Sequence, residues 1–115
     1  MESATTPSDR RTLLVRRIVA DSGFEIDAAG TTVEYDERTI RLEVDDEQRQ
    51  RLEALLAEYA VFKIQQPETR KAPGGVVYLS AVTDPKYAAD FLDSLFRSVY
   101  GADEGYELGV RSLEE

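Results

Sequence analysis

The chain has 115 residues, which is enough for one domain with a core of its own. It contains neither Cys nor His, so disulfides, thiolate metal sites and catalysis by a thiol or an imidazole are excluded. The 14 basic and 23 acidic residues give a formal net charge of −9, which repels phosphate backbones at ordinary ionic strength.

The N-terminal part of the chain predicts a disordered tail followed by a helix. Residues 1–6 are expected to fray, and a helix is expected over about 8–22. Thr6 suits the N-cap position, Pro7 the first helical position, and Gly23 the left-handed residue that follows the helix.

The middle of the chain alternates between apolar and polar residues in two adjacent segments. Residues 31–36 and 39–44 therefore predict a hairpin, and a short strand over 24–27 precedes it. Asp45 starts a second helix that ends near Tyr59. A strand over 61–66 and a loop over 67–75 follow, and the loop contains two prolines and two glycines.

The C-terminal part predicts a strand, a helix and a weaker closing strand. Residues 76–82 are apolar on both faces, which is typical of a strand in the middle of a sheet. Asp84 and Pro85 start a helix that ends at Gly101. Residues 106–110 carry the weaker strand pattern, and 112–115 are expected to be a disordered tail.

These elements predict a single α+β domain over residues 1–115. The expected architecture is an antiparallel sheet with two helices on one face, preceded by an N-terminal helix. The order ββαββα is favoured, because the hairpin over 31–44 occupies one flank of the strand that starts at Thr39. A ferredoxin-like order, βαββαβ, remains the alternative. The other face of the sheet is covered by the first helix, by a partner subunit or by water.

The balance of basic residues carries a resemblance in composition. Eleven of the basic residues are Arg and only three are Lys. In this scarcity of Lys beside an acidic excess, the chain resembles small uncharacterised acidic proteins of halophilic archaea. The resemblance implies adaptation to high salt and names no activity. No signal peptide or run of membrane-spanning length is present, so we expect a cytoplasmic protein.

One loop is the first candidate for ligand binding. Arg70, Lys71, Gly74 and Gly75 combine two cations with flexible backbone whose amides could hold an anion. A strand rather than a helix follows Gly75, which departs from the phosphate-binding loops that depend on a helix N-terminus. The alternative is an ordinary polar hairpin loop.

Four arginines on the first helix are the candidate partner surface. Arg10, Arg11, Arg16 and Arg17 could meet an acidic protein or a nucleic acid, or they could pair with acidic residues of the same chain. Nucleic-acid binding predicts that Arg10 and Arg11 share one surface with the loop cations.

Two groups of carboxylates could carry chemistry. Asp45, Asp46 and Glu47, near Glu43, could hold a hard cation or simply start a helix. Asp90 and Asp93 could act as an acid–base pair or lie on a solvated helix face. We expect the second reading of each, and therefore no metal, no cofactor and no catalytic residue.

A non-catalytic association module is the function that these observations favour. It would act as a homodimer or as an accessory subunit. The alternative is a small-ligand or regulatory domain that uses the loop over 70–75, and nucleic-acid binding comes third. Tyr35, Tyr78 and Tyr87 could line a pocket or belong to the core.

Overall fold

The computed structural model describes residues 2–20, 22–65 and 75–113. It contains seven strands and three α-helices, in the order β1 (Glu2–Ala4), α1 (Pro7–Ala20), β2 (Phe24–Ala28), β3 (Thr31–Asp36), β4 (Thr39–Glu43), α2 (Asp46–Glu58), β5 (Lys63–Gln65), β6 (Val76–Ser80), α3 (Pro85–Ser94) and β7 (Leu108–Ser112). A π-helical turn, Leu95–Val99, continues α3. Within these residues no helix is both long enough and apolar enough to cross a membrane.

The seven strands form one antiparallel sheet with the order β1-β7-β2-β3-β4-β6-β5. The expected α+β fold with a helix ahead of the main sheet is therefore confirmed. From β3 to α3 the elements follow the favoured order ββαββα. The closing strand β7 pairs with β2 and β1 rather than with β4, because β3 and β6 already occupy both flanks of β4. The ferredoxin-like alternative is excluded for the same reason.

Side-chain caps start the helices where the sequence predicts them. The Asp9 amide donates to Thr6 Oγ1 at the start of α1. Asp45 and Gln48 form a reciprocal capping box at the start of α2, and Asp84 Oδ1 accepts from the Tyr87 amide at the start of α3. Each cap satisfies an amide that the first helical turn leaves free.

Two tight turns carry positive φ angles at residues other than glycine. Ala29 (φ 52°) and Gly30 (φ 75°) join β2 to β3, while Glu37 (φ 49°) and Arg38 (φ 59°) join β3 to β4. Positive φ at both residues of a two-residue turn is the arrangement that matches the twist of a hairpin, and Asn-Gly is its usual sequence. Arg38 is thus held in a conformation that side chains with a Cβ disfavour.

The core lies on one face of the sheet, under all three helices. Every second residue of the central strands is buried, and the same apolar cluster includes buried residues of α1, α2 and α3. Four aromatic rings stack between α2 and α3; they are Tyr59, Phe62, Tyr87 and Phe91. Tyr87 therefore belongs to this aromatic cluster and is half-buried.

The other face of the sheet is open and charged. Glu25 and Glu34 are direct cross-strand neighbours, and like charges in that position destabilise a sheet. Arg111 pairs with Glu25 from one side, and Arg41 lies 3.4 Å from Glu34 on the other. These flanking cations offset the repulsion between the two carboxylates.

Three sequence expectations differ from the structure. Residues 2–4 form β1 instead of fraying, because they pair with β7 at the edge of the sheet. Strand β6 lies next to the edge strand β5 and not at the middle of the sheet. The last helix stops at Ser94, and its chain continues as the π-helical turn, in which the Tyr100 amide donates to Leu95 O.

Candidate functional site

Arg10 is buried rather than presented to a partner. Its side chain has 0% exposure, and its Nε donates to Asp93 Oδ1 over 2.9 Å. Its two terminal nitrogens donate to the carbonyl oxygens of Thr5, Glu104 and Tyr106. The expectation that Arg10 belongs to a partner surface is corrected here, because these contacts remove it from any surface.

The same network surrounds the side chain of Tyr106. The guanidinium carbon of Arg10 lies 3.9 Å from the centre of the Tyr106 ring, and the Tyr106 hydroxyl donates to Asp93 Oδ1. Burial raises the pKa of Tyr106 far above its ordinary value, and the hydrogen bond to Asp93 raises it further. Arg10, Asp93 and Tyr106 thus join α1, α3 and the segment before β7 in one buried cluster.

The other three arginines of α1 pair within the chain. Arg11 Nε lies 2.6 Å from Asp90 Oδ1, and Arg16 and Arg17 both lie within 4 Å of Glu2. Arg11 and Arg16 remain exposed, while Arg17 is half-buried above the ring of Phe24. All four arginines of α1 thus pair with groups of the same chain, which was the alternative to a partner surface.

The candidate anion-binding loop is described only at its end. Arg70, Lys71 and Gly74 lie outside the described residues. Gly75 has a φ of 85°, and its carbonyl oxygen accepts a hydrogen bond from the Val44 amide over 2.8 Å. This glycine therefore holds the start of β6 against the end of β4.

The two carboxylate groups have structural partners. Asp45 Oδ1 accepts from the Gln48 amide as a helix cap, and Asp93 belongs to the buried cluster while Asp90 faces Arg11. In the described part of the chain, no three acidic side chains come close enough together to hold a metal ion.

A cleft of about 320 Å³ opens at the end of the sheet where the β3–β4 turn lies. Its walls come from the last turns of α1, the end of β3, that turn and the loop between β6 and α3. We call it the Arg38 cleft, and it is lined by Ile18, Val19, Tyr35, Arg38, Thr83 and Pro85. Tyr35 is therefore a core residue that also lines a pocket, so both alternatives expected for it apply.

Arg38 is the cation of this cleft. Its carbonyl oxygen accepts from the Ala81 amide over 2.9 Å, which ties the turn to the end of β6. Its guanidinium forms no ion pair with any residue that the structure describes. Arg97 is also exposed and without an ion pair in the described part of the chain, so what distinguishes Arg38 is its place in the lining of the cleft.

Val19 lines the cleft, and Val82 precedes its lining residue Thr83 in the chain. Val19 is 64% exposed and Val82 is 57% exposed, the highest values among the large hydrophobic side chains described. We call these two residues the valine rim. Glu37 and Lys86 are also exposed at this end of the molecule, and neither forms an ion pair within the described residues. The valine rim is thus apolar, with a negative side chain (Glu37) and a positive one (Lys86) at the same end of the molecule.

Sequence reasoning did not find this cleft. Its residues come from three separate segments of the chain, 18–19, 35–38 and 83–85, and none of them forms a motif. One local signal did exist, since a hairpin over 31–44 leaves Glu37 and Arg38 in its turn, where Asn and Gly are the usual residues. Because Glu37 and Arg38 replace the usual residues of such a turn, their side chains are candidates for a functional role.

A model of the family of unknown function DUF7975 matches residues 1–113, so the chain belongs to this family. No curated protein and no solved structure matches the chain.

Proposed function

We propose that this member of the DUF7975 family is a non-catalytic association module that forms a homodimer through the valine rim. The observation that carries the proposal is the exposure of Val19, which lines the Arg38 cleft, and of Val82, which precedes the lining residue Thr83; these are the two most exposed large hydrophobic side chains described. Covering such side chains would contribute about 1–2 kcal/mol each, scaled from the value for complete burial.

A second copy is the partner that fits the charges around the rim. In a two-fold dimer the same patch occurs on both sides, so each positive group must find a negative group of the same patch. Lys86 supplies a positive charge and Glu37 a negative one. Both are exposed and form no ion pair in the described part of the chain.

The residue types and their placement support a non-catalytic role. The chain offers no imidazole or thiol, and the carboxylates that sequence singled out cap a helix or pair with arginines. Among the described residues, the lining of the Arg38 cleft has one cation and two hydroxyls, those of Tyr35 and Thr83, and no carboxylate that could act as an acid or base.

The setting that we propose is the salt-rich cytoplasm of a halophile. The support is the acidic excess together with eleven Arg and three Lys. Two copies of charge −9 repel each other in dilute buffer, whereas at 1 M salt the Debye length falls to about 3 Å. Association through the rim should therefore strengthen with salt.

Nucleic-acid binding is not favoured. It required Arg10 on the same surface as Arg11 and the loop cations, and Arg10 is buried. An accessory-subunit role on a different protein remains the alternative outcome of the test below.

Sedimentation velocity of the full chain over a range of protein and KCl concentrations tests the proposal. We expect a dimer in molar KCl and a folded monomer for Val19→Ser/Val82→Ser, with folding checked by circular dichroism. The matched control is Ile64→Ser, which removes an exposed apolar side chain from edge strand β5 and should leave the dimer intact. A monomeric wild type at every concentration, or a dimer lost in Ile64→Ser alone, would overturn the proposal.

A further inference from the structure

We propose that the Arg38 cleft binds a small organic anion that has one carboxylate and an apolar body. The inference goes beyond self-association, because the cleft is complete within one copy of the chain. Three observations carry it: the size of the cleft, a guanidinium that forms no ion pair within the described residues, and the left-handed backbone of the turn.

The size of the cleft suits a small molecule. Ligand sites are clefts of about 300–1,000 Å³. The Arg38 cleft, at about 320 Å³, lies at the lower end of that range; it is open to solvent and more polar than apolar, with Ile18, Val19 and Pro85 as its apolar part. At about 30 Å³ per water molecule it has room for roughly ten non-hydrogen atoms.

The polar groups specify a single negative charge. A guanidinium presents parallel N–H donors that match the two oxygens of a carboxylate. Arg38 supplies this fork, and the Thr83 hydroxyl is the other polar side chain in the lining, apart from the Tyr35 phenol. Asp36 and Glu37 lie next to Arg38 in the chain and are exposed, so a doubly charged group would meet repulsion here.

The β3–β4 turn contains a residue whose backbone conformation lowers the stability of the fold. A non-glycine residue in the left-handed region costs about 1–2 kcal/mol, and Arg38 has a φ of 59°. Such strain is often retained at ligand sites. Glycine would relieve it at Arg38 without disturbing the hydrogen bond from the Ala81 amide to the backbone oxygen. The Arg38 side chain can therefore be removed while this backbone contact is kept.

The test is a titration of the ¹⁵N-labelled full chain followed by NMR, with three ligands of one shape. Phenylacetate carries the carboxylate, phenylacetamide is its neutral counterpart, and phenyl phosphate carries up to two charges. We expect phenylacetate to shift the amide signals of Val19, Arg38 and Thr83, and phenylacetamide to bind at least tenfold more weakly. The affinity for phenylacetate should fall as KCl rises, because salt screens the ion pair.

Arg38→Gly separates ligand binding from folding. We expect this variant to bind phenylacetate at least tenfold more weakly and to melt at a higher temperature than the wild type. The matched control is Ala29→Gly, which relieves the same strain in the β2–β3 turn and should bind phenylacetate as the wild type does.

Two further results decide the assignment. Val82 lies outside the cleft lining, so Val82→Ser should bind phenylacetate as the wild type does even if this variant is monomeric. Loss of the dimer and loss of ligand binding are thereby measured separately. Equal affinity for phenylacetate and phenylacetamide, unchanged binding by Arg38→Gly, or no phenylacetate binding would overturn the proposal. Tighter binding of phenyl phosphate would overturn the preference for a single charge.

Discussion

Replacing Arg10 by Met tests the buried cluster most directly. Arg10→Met leaves the Asp93 carboxylate in the interior with the Tyr106 hydroxyl as its remaining donor. It also removes the donors to three backbone carbonyl oxygens, those of Thr5, Glu104 and Tyr106. The side chain that replaces Arg10 fills similar space but can donate to none of these acceptors.

The expected cost is large for a chain of this size. Breaking a buried, hydrogen-bonded ion pair from one side costs about 3–5 kcal/mol, and domains of this kind have about 5–15 kcal/mol in total. At about 4 °C per kcal/mol, the melting temperature should fall by roughly 12–20 °C. Urea unfolding in molar KCl, followed by circular dichroism, measures the loss directly.

The neighbouring arginine supplies the control. Arg11 is exposed and pairs with Asp90, so Arg11→Met should cost about 1 kcal/mol or less. Arg10→Met/Asp93→Leu removes both charges and should be more stable than Arg10→Met alone, although the carbonyl oxygens stay without donors. If Arg10→Met costs no more than Arg11→Met, the role assigned to the buried cluster is refuted.

Three further predictions concern backbone, pH and salt. Gly75→Ala should destabilise the fold by about 1–2 kcal/mol, since φ is 85° and an added Cβ would lie 3.2 Å from Val44 O; unchanged urea unfolding would contradict this. Burial raises the pKa of Tyr100 to about 12. The unfolded chain therefore releases this proton near pH 10 while the folded chain keeps it, and stability falls between about pH 10 and 12. Tyr100→Phe should flatten that decline, and an unchanged pH profile would count against the assignment. Finally, the melting temperature should rise with KCl concentration, because salt screens the repulsion within a chain of charge −9. A melting temperature independent of KCl would show that this repulsion does not lower the stability of the fold.

Local patterns were sufficient for most of the secondary structure. Alternation over 31–36 predicted β3 to the residue, and the caps at Thr6, Asp45 and Asp84 predicted the starts of all three helices. These features depend on neighbours three or four residues apart, which the sequence displays. The preference for ββαββα also came from a local feature, the tight hairpin on one flank of β4, whereas the ferredoxin-like order was excluded only by the observed sheet order.

The tertiary structure decided what each charged residue does. Arg10 and Arg11 are adjacent and chemically identical, yet one is buried and the other exposed. The difference depends on partners 83 and 96 positions away, at Asp93 and Tyr106, which no local pattern shows. The Arg38 cleft likewise comes from three separated segments that the tertiary structure brings together. Sequence determined which residues could carry charge or bury surface, and long-range packing determined which of them meet, because desolvation depends on the neighbours in space and not on those in the chain.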